Sequence, residues 1–138
     1  MSFNFTMTDV VNTNTTYQKI SEEFCKVYYH KMQEGGFSFV MQFFSRDAKC
    51  TLDNQELTGC YDILIKLSQL GIHKFLYKRI SGNSQPVGDS ILITTIGEFI
   101  PINFQKQTGR LVRFTETFIL KYTGDNYLIT NYILKTMK

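Results

Sequence analysis

Apolar residues recur along this chain in two rhythms, and the rhythm changes near the middle. Between Tyr17 and Met32 the positions Ile20, Phe24, Val27, Tyr28 and Met32 fall at helical spacing, which predicts an amphipathic helix. The acids of Ser21-Glu22-Glu23 suit its start, and Gly35-Gly36 suits its end. Phe37–Phe44 is short and almost wholly apolar (Phe37, Phe39, Val40, Met41, Phe43, Phe44). It predicts a second, short helix packed on two sides. Ala48–Leu52 and Gln55–Leu57 flank Asp53-Asn54, a hairpin turn signal. Gly59 opens a third helical stretch, Cys60–Leu70, striped by Ile63, Leu64, Leu67 and Leu70 and closed by Gly71.

Beyond Gly71 the period drops to two. His73–Ile80 predicts a strand. Ser81–Asp89, with Gly82, Asn83, Pro86 and Gly88, predicts a turn or loop. Three long strands follow: Ser90–Ile100, Leu111–Tyr122 and Asn126–Leu134. Polar joints separate them at Asn103–Gly109 and Thr123-Gly124-Asp125. This order defines one α+β domain over 17–138. Residues 1–16, rich in Asn and Thr, read as a flexible N-terminal segment. A broad antiparallel sheet must bury one face, and Tyr17–Met32 is the natural cover. A helix laid into a bent sheet makes a cone with a mouth. In Leu111–Tyr122 one face carries Phe114, Glu116 and Phe118, the other Arg113, Thr115, Thr117 and Ile119; Asn126–Leu134 is also half apolar on both faces. The helices suffice for one face only, so the outer face is expected to form a dimer interface.

A length of 138 residues with 43% hydrophobic content suits a single domain with its own core. The net charge of +3 is small, and the basic residues are scattered instead of forming the patch a nucleic-acid binder concentrates. No direct nucleic-acid partner is expected. No apolar run approaches the ~18 residues of a membrane span. Cys25, Cys50 and Cys60 form no CxxC and leave one over, which reads as free thiols in a reducing compartment. Cytoplasm and nucleus are the expected locations. The glycosylation patterns Asn4-Phe5-Thr6 and Asn14-Thr15-Thr16 would be inert there.

Few residues invite chemistry. His30 and His73 lie far apart with no Cys or carboxylate at ligand spacing, so no metal is expected. There is no GxSxG motif. Gly35-Gly36 follows a helix instead of leading one, so it is no phosphate loop, and no cofactor is expected. Acid–base work remains. Glu116 sits between Phe114 and Phe118; if that face lines the cone, burial raises its pKa as a general acid or base requires. Tyr28, Tyr29, Asp62 and His73 are its candidate partners. The alternative is a Glu held by a cross-strand hydroxyl or a Lys.

Glu23-Phe24-Cys25-Lys26-Val27-Tyr28-Tyr29 resembles the first-helix motif of the nuclear transport factor 2 family. Phe43-Phe44, Leu52-Asp53-Asn54 and Leu57-Thr58-Gly59 resemble its next elements, and Ser84-Gln85-Pro86 is similar to a family loop. Arg113–Leu120 and Ile129-Thr130-Asn131 resemble its closing strands. The likeness spans about Tyr17 to Leu134. It implies a cystatin-like cone, a curved antiparallel sheet covered by N-terminal helices, and a back-to-back sheet dimer. It also implies a non-catalytic binding protein that engages FG-repeat nucleoporins in nucleocytoplasmic transport. Related trades are subunits of mRNA-export or stress-granule assemblies, including heterodimers, and small-molecule isomerases or dehydratases that would use Glu116 and Tyr28. The Phe-Gly peptide groove of the family's stress-granule relatives maps onto Ile20, Phe24, Phe43 and, in place of a Phe, Leu134. The contact to the GTPase Ran, loaded with GDP, maps onto Leu52 and Asp53, where the family's transport factor has a Trp-Glu pair. The family's two further acids are missing, because Ile100–Lys106 contains none and gains a Lys. Charge-assisted pairs at interfaces can each contribute ~1.5 kcal/mol or more, so a Ran contact here is a reduced one. Phe104, a large aromatic in a polar loop, suits either partner contact or packing onto the hairpin.

Overall fold

The helical rhythm that follows Tyr17 forms α1 (Thr16–Gly35), whose buried side carries Ser21, Cys25, Tyr28, Tyr29, Met32 and Gln33. The computed structural model describes residues 4–7 and 16–137. Glu22 and Glu23 lie beyond the first turn of α1, so they do not serve its start; Glu22 pairs instead with Lys26 one turn on, at 2.9 Å. Gly36 ends the helix at φ 78°. A Cβ there would stand 2.1 Å from the His73 carbonyl oxygen, so conformation and close approach both require glycine.

The apolar run after Gly36 divides. It forms α2 (Phe37–Val40), a 3-10 turn (Met41–Phe43) and the beginning of a strand. The strands β2 (Phe44–Leu52) and β3 (Gln55–Thr58) make the expected hairpin around Asp53-Asn54. Next, α3 (Cys60–Gln69) buries Ile63 and Leu67. Four long strands complete the chain: β4 (Lys74–Val87), β5 (Ser90–Ile102), β6 (Val112–Tyr122) and β7 (Tyr127–Met137). These four pair antiparallel in sequence order, and β2 joins parallel to β7. A short strand β1 (Asn4–Met7) adds parallel to the outer side of β4, giving the order β1-β4-β5-β6-β7-β2-β3.

One expectation is corrected. Ser81–Asp89 is not a loop: β4 runs to Val87, pairs with β5 up to Val87–Ser90, and leaves Gly88-Asp89 as the turn. Proline is tolerated because β4 presents Pro86 at a sheet edge. Of residues 1–16, Asn4–Met7 pair with Arg79–Gly82 and Thr16 begins α1; residues 1–3 and 8–15 lie outside the described residues.

The sheet curls around α1, and its concave face makes the core with the helices. Bulges decide which residues face inward. In β4 the register shifts between Tyr77 and Arg79, so Phe75 and Tyr77 are buried before it and Ile80, Gly82 and Ser84 after it. In β7 the shift near Thr130 moves burial from Ile129 to Tyr132 and Leu134. A bulge inserts one residue and reverses the alternation beyond it.

Candidate functional site

Three strands and the helix each send one polar group to the same place inside the cone. Glu116 lies mid-β6, with Thr95 directly opposite on β5 and Leu134 on β7. Tyr29 points inward from α1, one residue after the fully buried Tyr28. The Tyr29 hydroxyl donates to Glu116 Oε1 at 2.8 Å and meets Thr95 Oγ1 at 2.7 Å. The Tyr132 hydroxyl donates to Glu116 Oε2. Both carboxylate oxygens therefore accept from a phenol, and none of the ion pairs among the described residues includes Glu116. Burial pushes its carboxyl up to about 7, against the pull of the hydrogen bonds from Tyr132 and Tyr29. Burial first, and the nearby Glu116 charge second, hold Tyr28, Tyr29, Tyr77 and Tyr132 well above the ordinary tyrosine range.

The chamber around this carboxyl is filled. Tyr28, Tyr29, Phe114 and Phe118 are 0% exposed and Tyr77 and Glu116 are 2% exposed. Their rings interlock edge to face, Tyr28 on Phe118 at 5.0 Å and Tyr29 on Tyr77 at 4.7 Å. The cone is plugged by its own aromatics. Of the candidate partners for Glu116, Tyr29 is in hydrogen-bond contact and Tyr28 is near. Asp62 and His73 are not brought in. Asp62 is exposed and accepts from the Thr58 amide at 3.3 Å; His73 stacks on Phe104 at 4.9 Å. That stack also places Phe104, which stays 53% exposed. Thr95 and Tyr132 are members of the cluster that sequence reasoning missed. Alignment of the three closing strands by their turns gives Thr95; Tyr132 needs the bulge.

The residues assigned to a peptide groove separate into two groups. Ile20, Phe24 and Phe43 are half-buried and pack on the edge of the core, with Phe24 and Phe43 edge to face at 6.2 Å. Leu134 is buried at 5% exposure, paired with Leu52 on β2 and Glu116 on β6. Leu52 is likewise buried, and the exposed Asp53 is tied down: its carboxylate accepts from the Thr136 amide at 2.7 Å and the Thr136 hydroxyl at 3.0 Å. The outer face of the sheet presents Ile96, Ile133 and Met137, each at least 42% exposed, among threonines at 94, 115 and 117. Glu98 lies between Arg79 and Arg113 at 3.9 and 4.0 Å at its border. A hollow of ≈ 490 Å³ opens on this face between β2–β3 and β6–β7, lined in part by Lys49, Thr51, Glu56 and Thr117. Among the described residues no group of three or more His, Cys, Asp or Glu gathers to hold a metal, and no helix is long and apolar enough to cross a membrane.

A long helix seated in a curled antiparallel sheet, with a hairpin and two short helices beside it, defines the cone-shaped, cystatin-like class of α+β domains. The profile of the nuclear transport factor 2 (NTF2) domain matches residues 20–136, and the chain belongs to that family. It is similar in structure to nuclear transport factor 2 from Cryptosporidium parvum, at TM-score 0.73 and 17% identity, over 93% of this chain and 100% of that one. It is similar to the yeast UBP3-associated protein BRE5, at TM-score 0.65 and 25% identity, over 91% of this chain and 99% of that one. It is also similar to a protein from Novosphingobium aromaticivorans assigned as a scytalone dehydratase, at TM-score 0.72 and 11% identity, over 94% of this chain and 89% of that one. The fold thus houses a transport factor, a protein named for its association with another protein, and a protein assigned as an enzyme. No curated protein matches the chain.

Proposed function

We propose that this chain is a non-catalytic, dimeric binding domain that captures Phe-Gly peptides of nucleoporin type, working in nucleocytoplasmic transport between cytoplasm and nucleus. The observation that carries the non-catalytic part is the plugged cone: among the described residues Glu116 is the one carboxyl with catalytic credentials, and five buried aromatic rings occupy the space a substrate would need. Half-buried Phe24 and Phe43 supply an apolar ledge of the kind that anchors a Phe side chain. The exposed apolar strip on the outer sheet face supports a second copy, or a related chain, on that side. The likeness to a transport factor and to a protein described by its association with another protein fits a binding role.

Calorimetric titration with an FxFG peptide and, separately, with Ran loaded with GDP tests this reading. Binding of both makes the protein a transport factor. Peptide binding alone points to an export or scaffold subunit. Failure of both overturns the proposal and favours a dehydratase or isomerase. That second reading rests on the raised carboxyl at Glu116 with hydroxyls on both oxygens. It requires α1 to lift from the sheet, and turnover of a hydrophobic hydroxy or keto compound would establish it.

A further inference from the structure

The antiparallel meander ends at β4, and the chain treats this long edge differently along its length. At Tyr77 the backbone amide donates to the Gln33 side chain of α1 at 2.8 Å. Near the far end stands Pro86, which has no amide to offer. Between them, Arg79–Gly82 pair in parallel with Asn4–Met7. A side-chain cap and a proline are devices that deny an edge to other strands. The middle of the edge is covered instead by the chain's own short strand β1.

That cover is weak by construction. Among the described residues it spans four, and parallel pairing is slightly less stable per residue than antiparallel pairing. The backbone beneath it is firmly held, since β4 pairs with β5 along its whole length. We propose that the outer edge of β4 at Arg79–Gly82 is a strand-addition site for an extended segment of a partner protein, and that the chain's own strand Asn4–Met7 is its built-in competitor. The site lies at the end of the sheet opposite β2–β3 and is separate from the ledge at Phe24 and Phe43.

Register sets the chemistry of the partner segment. Phe5 stands opposite Ile80 and Met7 opposite Gly82, and Ile80 and Gly82 are both buried, so those positions take apolar residues. Asn4 and Thr6 stand opposite Arg79 and Ser81 and alternate as polar positions. The Arg79 side chain is 79% exposed, so an acidic residue at the position of Asn4 gains an opposite-charge cross-strand pair. The partner is therefore an extended peptide of alternating polar and apolar residues with an acid at one polar position. An identical strand from a second copy has no advantage, because residues 8–15 tether β1 to its site at an effective concentration of about millimolar order. A partner segment that adds antiparallel does have one.

The test is fluorescence anisotropy with a labelled peptide of residues 2–10 of this chain, titrated with the full chain and with its double variant Phe5→Pro/Thr6→Pro. Alternate backbone positions of a strand face its neighbour, so the two prolines remove at least one ladder donor whichever of them faces β4. The peptide binds the double variant, and binds the unaltered chain at least about tenfold more weakly because the tethered strand competes. Equal binding to both, or no binding to the variant, overturns the proposal. Native-state amide exchange of the unaltered chain gives a second readout that does not depend on the variant's folding. Amides of Arg79–Gly82 that face β1 exchange much faster than those of Thr117 and Phe118 in the central strand. A common rate for both sets, through global unfolding, overturns it as well.

Discussion

Glu116 shows how one side chain can be both well bonded and costly. Its two oxygens accept from Tyr29 and Tyr132, yet no cation pairs with it among the described residues, and its carboxyl rises to about 7 because burial outweighs the hydroxyls. The unfolded chain releases this proton near the ordinary Glu value of about 4.3. Between about pH 4.5 and 7 the folded state holds a proton that the unfolded state has lost, so stability falls as pH rises through that window. The stabilisation is complete below the window and gone above it, with a total change on the order of 3 kcal/mol. Urea titrations at pH 5 and pH 8 measure it. Glu116→Gln has no proton to lose and should flatten the dependence; an equal pH slope in both proteins would show that another group carries the effect. The same residue illustrates what sequence can reveal. The desolvation of Glu116 is legible from its place between Phe114 and Phe118, because the alternation of β6 is unbroken. Its main partner Tyr132 is not, because one bulge exchanges the faces of β7 at Thr130.

At the scale of elements, most boundaries were legible, and the misses share a physical cause. The α1 stripe apart from Val27, which is exposed, the Asp53-Asn54 hairpin, α3 and the three closing strands all follow from periodicity and turn residues. The second half of β4 was hidden because Gly82, Asn83 and Pro86 carry local turn propensity that long-range pairing to β5 overrides. The two-faced look of β7 partly reflects its bulge, since inward residues occupy odd positions before it and even positions after it. At Gly97 the backbones of β4 and β5 come so close beside the β4 bulge that an added Cβ would lie 2.1 Å from the Arg79 carbonyl oxygen. The obstructing atoms, of Arg79 and Ile80, are all backbone, so Gly97→Ala should cost at least about 2 kcal/mol in urea denaturation. A neutral result would mean that the bulge yields easily. The contact between α1 and the 3-10 turn has a functional counterpart. Phe43 is half-buried against Phe24, so Phe43→Ala should weaken FxFG capture by about 2 kcal/mol, roughly thirtyfold, while the oligomeric state is unchanged. Unchanged capture in calorimetry would move the groove elsewhere.

The whole molecule has one covered sheet face and one bare one, and that asymmetry shapes its behaviour in solution. The concave side is sealed by α1 and filled with aromatic rings. The convex side exposes Ile96 on β5 and Ile133 and Met137 on β7, set among threonines whose β-branched surface packs well against a second sheet. Register keeps these residues in adjoining rows: Ile96 is opposite Thr115, and Ile133 is opposite Thr117, which itself faces Thr94. Glu98 bridges Arg79 and Arg113 at the border, and the exposed Lys135 stands opposite Thr115 within the face, so the pattern is an apolar, threonine-rich centre that carries a lysine inside a charged rim. A sheet face of this breadth, packed on its copy about a two-fold axis, can reach the roughly 1,600 Å² that stable interfaces bury. The unaltered chain should therefore scatter light as a dimer, with a melting temperature that rises with protein concentration because association stabilises the folded state. The double substitution Ile96→Glu/Ile133→Glu sets like charges in the centre of both copies, where each would be desolvated without a partner. It should yield a monomer with the native circular dichroism spectrum and a melting temperature independent of concentration. Two results would argue against the sheet face as the interface: a dimer that survives both glutamates, or an unaltered chain that is already monomeric at high micromolar concentration. The second would leave the bare face for a different NTF2-family chain, and mixing with such a chain would then restore the dimer mass.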